Sequence, residues 1–425
     1  MKKILPQLLK GTREFLPVDM AKRNLVLGKI TEIFKRFGYD TIETPILSPA
    51  ETILGKYGEE GDKLTYSFDS RGTQIALPYD QTVPFARLVA GNWRELPMPF
   101  KRYQVQRVWR AERPQKGRLR EFYQCDIDII GTKSLIAEAE VLKIIVEVFK
   151  ALEFEKFYVK INSRRLINSI LNSFEVSEEK MLDVIRVIDK MDKIGTEEVA
   201  RMLREIGVKN EKKLLELLVV GKTNEETMAK LKDYDLAEIK GFFEFSSYLG
   251  VEEKYVKFDP ALARGLDYYT GMIYEAIDEE TSFGSLAGGG RYDNLCGTFS
   301  DADFSGVGVA FGFERLMMAL EGKLKDVKLN SQALITLFSE DETKDALKLY
   351  AELTAAGINC EVYYEADQLG KQFKYADKKQ IPFVIVQGPE EKIAGNVTVK
   401  SMRSGKQQTI PVEQLIPYLT SYYEA

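Results

Sequence analysis

The 425-residue chain contains no histidine. That absence removes whole classes of chemistry: Ser-His-Asp and Cys-His catalysis, His-ligated zinc, HExxH proteases, and any acid–base step carried by the protein's own imidazole. Cysteine is nearly as scarce. Cys125, Cys296 and Cys360 stand far apart with no CxxC pair, so neither a disulfide framework nor a cysteine zinc site is expected. No run reaches the roughly 18 apolar residues of a membrane span. The opening MKKILPQLLKGTREF is interrupted by Pro6 and Gln7 and lacks the apolar core and small-residue cleavage site of a secretion signal. A cytoplasmic location without membrane contact is the expectation. Positive charge is not in excess either: 60 Lys and Arg against 65 Asp and Glu leave a formal charge of -5. Nucleic acid would therefore have to be met by a local basic patch. Neither G-x-G-x-x-G nor G-x-x-x-x-G-K-[ST] occurs, so Rossmann and Walker readings fail.

What is present is an ordinary globular composition, 44% hydrophobic and 29% charged, over a length that suggests two or three domains. Val26, Ile30, Ile33, Phe34 and Phe37 form an apolar stripe with helical spacing, predicting a helix over 19–37 closed by Gly38. Residues 39–44 read as a strand ending at Pro45. From 62 to 131 short strands dominate, with turns at 70–72 and 114–117 and one helix at 82–90. A helix is expected at 135–152. The stretch 175–250 is charged, helical and poor in aromatics until its end, with Thr196 as an expected N-cap and Gly207 as a stop. Strands resume at Val256 and continue to Gly312, followed by a helix over 313–320. After a polar linker at 326–331, strands and helices alternate from 332 onward, as in a small α/β domain.

Three segments could carry chemistry. Residues 107–124 place six basic side chains within eighteen positions, around a loop shaped by Pro114 and Gly117. Guanidinium groups suit phosphate oxygens, and Phe122 offers an apolar face for a base. The same spacing also fits a solvated, charged hairpin. Arg264 to Gly271 sets Arg264 and Asp267 beside Tyr268 and Tyr269. On a strand the two tyrosines would face opposite sides, one packing and the other lining a site. A buried Tyr/Asp/Arg hydrogen-bond knot is the structural alternative. Third, Gly288 to Asp293 precedes Gly306 to Arg315. Small residues at Gly308, Ala310 and Gly312 would clear one strand face for a flat ligand, with Arg315 emerging at the start of a helix. Close strand–helix packing would need the same small residues.

Taken in order, these segments resemble class II aminoacyl-tRNA synthetases. Arg110-Ala-Glu112 with Arg118 and Phe122 looks like that class's motif 2, Gly308 to Arg315 like motif 3, and Gly38 to Pro45 like the weaker motif 1. Arg-Gly-Leu-Asp-Tyr-Tyr at 264–269 and Ala-Gly-Gly-Gly-Arg-Tyr-Asp at 287–293 are similar to two signatures particular to the histidyl-tRNA synthetase family. The resemblance spans essentially the whole chain. It implies an α/β fold: an α+β catalytic core over 1–325 with an antiparallel sheet flanked by helices, a helical insertion at 175–250, and a small α/β anticodon-binding domain at 332–425.

It also implies a reaction. Histidine would be activated with ATP, accompanied by Mg2+, to histidyl-adenylate and pyrophosphate, then transferred to tRNA(His) by a homodimer. By that resemblance Arg110 meets the α-phosphate, Arg118 and Arg315 the γ-phosphate, and Glu112 and Phe122 the adenine. Arg264 takes the place of a catalytic arginine between the histidine carboxylate and the α-phosphate. Asp80, Thr82 and Gln124 are implied for the α-amino group, Asp128 and Tyr269 for the imidazole, with Tyr268 and Tyr292 beside them. Gln115 and Lys116 are implied for the tRNA acceptor end. This sequence departs from the family pattern at Pro78, where arginine is usual, at Gln81, and at Ala111, where histidine is frequent. A non-catalytic relative, the synthetase-like regulatory subunit of ATP phosphoribosyltransferase, is the alternative; Arg110, Arg264, Arg315 and the segment from 332 onward argue for the enzyme.

Overall fold

The computed structural model describes residues 3–264, 268–325, 327 and 329–423. They group into two compact units, one of Met1–Glu14 and Val26–Lys323, the other of Phe15–Leu25 and Leu324–Ala425.

The larger unit is built on an eight-stranded sheet. Its strands are β1 (Asp40–Thr41), β2 (Phe100–Trp109), β3 (Glu121–Ile130), β4 (Phe157–Ser163), β5 (Val256–Phe258), β6 (Met272–Asp278), β7 (Ser285–Tyr292) and β8 (Gly306–Gly312). Their spatial order is β1-β2-β3-β8-β7-β6-β4-β5. The six central strands pair antiparallel, as the resemblance implies, whereas both edge strands pair parallel and make the sheet mixed. The helix Leu135–Ala151 covers the sheet with an apolar face that includes Val141, Leu142, Ile144, Ile145, Val148 and Phe149, all fully buried. Ser134 caps it by accepting from the N–H of Ile136. The helix Pro17–Arg36 buries Val26, Ile30, Ile33 and Phe34, the apolar stripe read from the sequence.

Two expectations fail locally, each for a visible reason. The strand expected over 39–44 shrinks to two residues because side chains take over its ladder. Gln104 Nε2 donates to Thr44 Oγ1 at 2.9 Å and Gln106 Nε2 to the Thr44 carbonyl at 2.9 Å. Thr196 does not cap its helix but is the first helical residue; Gly195, at φ +82°, precedes it as the N-cap. Gly207 ends that helix in the left-handed conformation as expected. The segment 178–248 contains six α-helices, and its last one, Ala237–Tyr248, packs on Leu135–Ala151.

The smaller unit has a five-stranded sheet of β9 (Ala333–Ile335), β10 (Cys360–Val362), β11 (Phe383–Val386), β12 (Asn396–Ser401) and β13 (Gln407–Pro411) in the order β10-β9-β11-β12-β13. The first three are parallel and joined through helices, which the alternating pattern predicted. The antiparallel pair β12 and β13 and the helix Leu415–Tyr423 were not read from the sequence.

Candidate active site

Strand β3 supplies the floor of the site. Alternation puts Gln124, Asp126 and Asp128 on one face. Each lies opposite a small residue of β8: Gly312 faces Gln124, Ala310 faces Asp126 and Gly308 faces Asp128. Gly308 makes its room for a neighbouring side chain, whereas Ala310 and Gly312 border open space. A Cβ on Gly308 would lie 2.1 Å from Asp128 Oδ1. On β7 the same logic repeats: a Cβ on Gly288 would sit 1.7 Å from Arg264 Nη1, and one on Gly290 2.9 Å from the Tyr269 ring. Glycines on two strands, β7 and β8, thus leave the space in which Asp128, Arg264 and Tyr269 sit over the sheet.

Two connected spaces result. A small chamber of about 60 Å³ is lined by Asp80, Thr82, Gln124, Asp126, Asp128, Tyr268, Tyr269 and Tyr292, among others. A cleft of about 650 Å³ is lined by Glu112, Gln115, Lys116, Arg118, Phe122, Glu275 and Arg315, among others. Arg110, Gln124 and Arg264 border both. Every residue that the sequence resemblance implies for the site falls in one space or the other.

The chamber is desolvated and tightly bonded. Asp128 lies 2.6 Å from Arg102 Nη2, itself fully buried, and accepts from the Tyr292 hydroxyl at 2.7 Å. Burial raises the Asp128 carboxyl to about 6, with Arg102 and Tyr292 pulling the other way. Asp80 accepts from Tyr57 at 3.0 Å, the Val83 N–H at 3.1 Å and Tyr268 at 3.1 Å. Burial outweighs those bonds and raises its carboxyl as well. Asp126 goes well above the usual carboxylate range for the same reason. The two adjacent tyrosines do not face opposite ways. Residues 268–270 are not in a strand, and Tyr268 and Tyr269 lie edge to face, ring centroids 4.9 Å apart, both lining the chamber. Asp267 falls outside the described residues.

The cleft gathers cations. Arg110 lies between the rings of Tyr79, 4.3 Å away, and Phe122, 5.3 Å away, and its Nε donates to the Tyr79 carbonyl. Arg118 pairs with Glu112 at 3.4 Å. Arg315 donates to the carbonyls of Gly117 and Ser285. Burial first, then Arg118 and Arg110, push the Arg315 guanidinium down, the mark of positive charge concentrated without enough counter-charge. Arg264, at φ +44°, leaves its buried Nε without a partner among the described residues. An anion with several oxygens would satisfy these donors. Gln115 and Arg118 close the loop tip through a backbone bridge, and Lys116 reaches over the Phe283 ring.

Sequence reasoning passed over Asp126, Glu275, Phe283 and Lys193, all of which line the chamber or the cleft. Strand alternation alone could have found Asp126. Lys193 comes from the helical segment, and no local pattern announces that it reaches the cleft.

Comparisons with known proteins agree with one another. A family model described as histidyl-tRNA synthetase matches residues 11–316, and one described as an anticodon binding domain matches 332–422. A histidine–tRNA ligase of Bacteroides fragilis is 39% identical over 98% of this chain and 99% of its own length. One from Clostridium tetani is 37% identical over 97% and 98%. The crystal structure of histidyl-tRNA synthetase from Nostoc sp. PCC 7120 superposes with a TM-score of 0.86 at 30% identity, covering 99% of this chain and 100% of that one.

Proposed function

Because the chain belongs to the histidyl-tRNA synthetase family and is a histidine–tRNA ligase, we propose that the chamber holds histidine and the cleft holds ATP. The enzyme activates histidine with ATP to histidyl-adenylate, releasing pyrophosphate, and transfers the histidyl group to the 3′ end of tRNA(His). Histidine's carboxylate is the nucleophile, so no imidazole of the enzyme's own is needed. Charge builds on the α-phosphate oxygens as the carboxylate attacks, and Arg110 and Arg264 stabilise it there. Arg118 and Arg315 hold the γ-phosphate, and Glu112 and Phe122 take the adenine. Asp128 accepts from one imidazole nitrogen while the Tyr269 hydroxyl donates to the other, with Tyr268 and Tyr292 fixing their surroundings. Asp80, Thr82 and Gln124 meet the α-amino group.

Magnesium comes with the triphosphate as part of the substrate. Among the described residues no group of three or more Cys, Asp or Glu could hold a metal by itself. Gln115 and Lys116 meet the tRNA acceptor end. We assign residues 1–325 to catalysis, 326–331 to a linker and 332–425 to anticodon binding, so that a C-terminal lesion lowers tRNA charging more than histidine activation. A homodimer is supported by apolar side chains beside Pro45, with Ile46 41% and Leu47 59% exposed. No helix among the described residues is long and apolar enough to cross a membrane, and we place the enzyme in the cytoplasm.

The adjacency carries this reading: an acid- and tyrosine-lined chamber adjoins a cation-lined cleft, with Arg110, Gln124 and Arg264 in the lining of both. ATP–pyrophosphate exchange with all twenty amino acids tests it. Histidine should support exchange about 10⁴-fold better than an amino acid unable to pair the buried polar groups. Comparable exchange with another amino acid contradicts the assignment. No exchange with any would favour the non-catalytic regulatory role instead.

A further inference from the structure

Two acceptor atoms around the chamber lack donors, and a third group has room for one more. Asp126 Oδ1 and Gln124 Oε1 are buried and meet no hydrogen-bond partner among the described residues. Asp80 is more nearly satisfied. Its Oδ1 already accepts from Tyr57 and Val83, and its Oδ2 accepts from Tyr268. With two lone pairs per oxygen, Asp80 has room for one more donor, on Oδ2. Buried acceptors without donors are rare and costly, and two in one small space call for a ligand.

We propose that Asp126 is a specificity-determining residue that binds the α-ammonium group of histidine, together with Gln124 and the remaining lone pair of Asp80. The proposal rests on the reading of the chamber as the histidine site and extends it to a residue that the resemblance does not include. An ammonium group has three N–H donors, which Asp126, Gln124 and Asp80 can accept, with the Thr82 hydroxyl beside them as a shared acceptor. The order along β3 fits. Asp126 stands roughly 6.6 Å along the strand from Asp128 on one side and from Gln124 on the other. Two carbons separate a histidine ring from its amino nitrogen. A ring held at Asp128 therefore leaves the ammonium one step along the strand, at Asp126. The carboxylate then points to Arg110 and Arg264, which border both chamber and cleft. Opposite Asp126 stands Ala310, small enough to keep that path open.

The test compares histidinol, which keeps the ammonium, with 3-(imidazol-4-yl)propan-1-ol, which lacks only that group. Binding of each to the full-length protein is measured by calorimetry, which needs no turnover. Wild type should prefer histidinol. Asp126→Asn should cut that preference about ten- to hundredfold, the value of a charged hydrogen bond, and Asp126→Ser should do the same. Asp128→Asn should weaken both ligands alike and leave the preference standing. The preference is a ratio within one variant, so loss of folded protein cancels. An unchanged preference in Asp126→Asn and Asp126→Ser overturns the assignment, whatever Asp80→Asn does. Failure of the wild type to bind histidinol or activate histidine would instead overturn the histidine reading, and this assignment with it.

Discussion

The chamber and the cleft share Arg110, Gln124 and Arg264 but differ in how their charges meet water. In the chamber the charges are dry: the Asp128 side chain is 3% exposed and Arg102 0%. At the cleft's outer side they meet water: the Arg118 side chain is 45% exposed, against 21% for Arg264 at the border with the chamber. A dry site discriminates through the cost of leaving polar groups unpaired, and it tolerates only a ligand of matching shape. A wet, cationic site gathers charge, with weaker and salt-dependent contacts. On the proposed assignment, one amino acid is read in detail, while a triphosphate is held mainly by its charge.

The contrast is most easily broken at a shared residue. Arg264→Ala should lower the single-turnover rate of adenylate formation about 10²–10³-fold in a folded protein, since its guanidinium faces charge that develops in the transition state. A near-normal rate would remove Arg264 from the chemistry.

The next effect separates the two spaces by pH. Asp128 titrates near 6, and free histidine's side chain near 6.5. As pH falls through this window both gain protons, and kcat/KM for histidine should drop by more than tenfold per unit below about pH 6. A histidine analogue of lower ring pKa should lose one component and keep the one near 6. A limb that moves wholly with the analogue would show that Asp128 does not titrate there. Acid unfolding at Asp128 is not the cause of the drop. Its folded value lies above the ordinary 3.8, so protonation from about 6 downward favours the folded state.

The smallest effect belongs to the wet side. Arg118→Ala should raise KM for ATP about three- to tenfold, leave KM for histidine unchanged, and matter less as ionic strength rises. An equal effect on both substrates would merge the two spaces into one.

Much of this site was legible in the sequence, because its motifs are contiguous and their order is distinctive. Arg110, Arg118 and Phe122 lie on one hairpin, and Gly308 to Arg315 on one strand–helix unit. What escaped was set by tertiary contact. The same-side placement of Tyr268 and Tyr269 follows from a loop that departs from strand geometry. Lys193 reaches the cleft from a helix far away in sequence. Gly308 was read as space for a ligand, but the side chain that fills the space comes from β3, across the sheet. The shortened strand at Asp40–Thr41 depends on side-chain amides of Gln104 and Gln106, which no propensity encodes.

The sharpest test of the division is Asp128→Asn, a near-isosteric change at the floor of the chamber. Steady-state ATP–pyrophosphate exchange gives KM for histidine and for ATP in the same preparation. Recognition by buried pairing predicts that KM for histidine rises about a hundredfold while KM for ATP stays within about twofold. Proportionate rises in both constants, or no change in either, would contradict a chamber that reads histidine separately from the cleft.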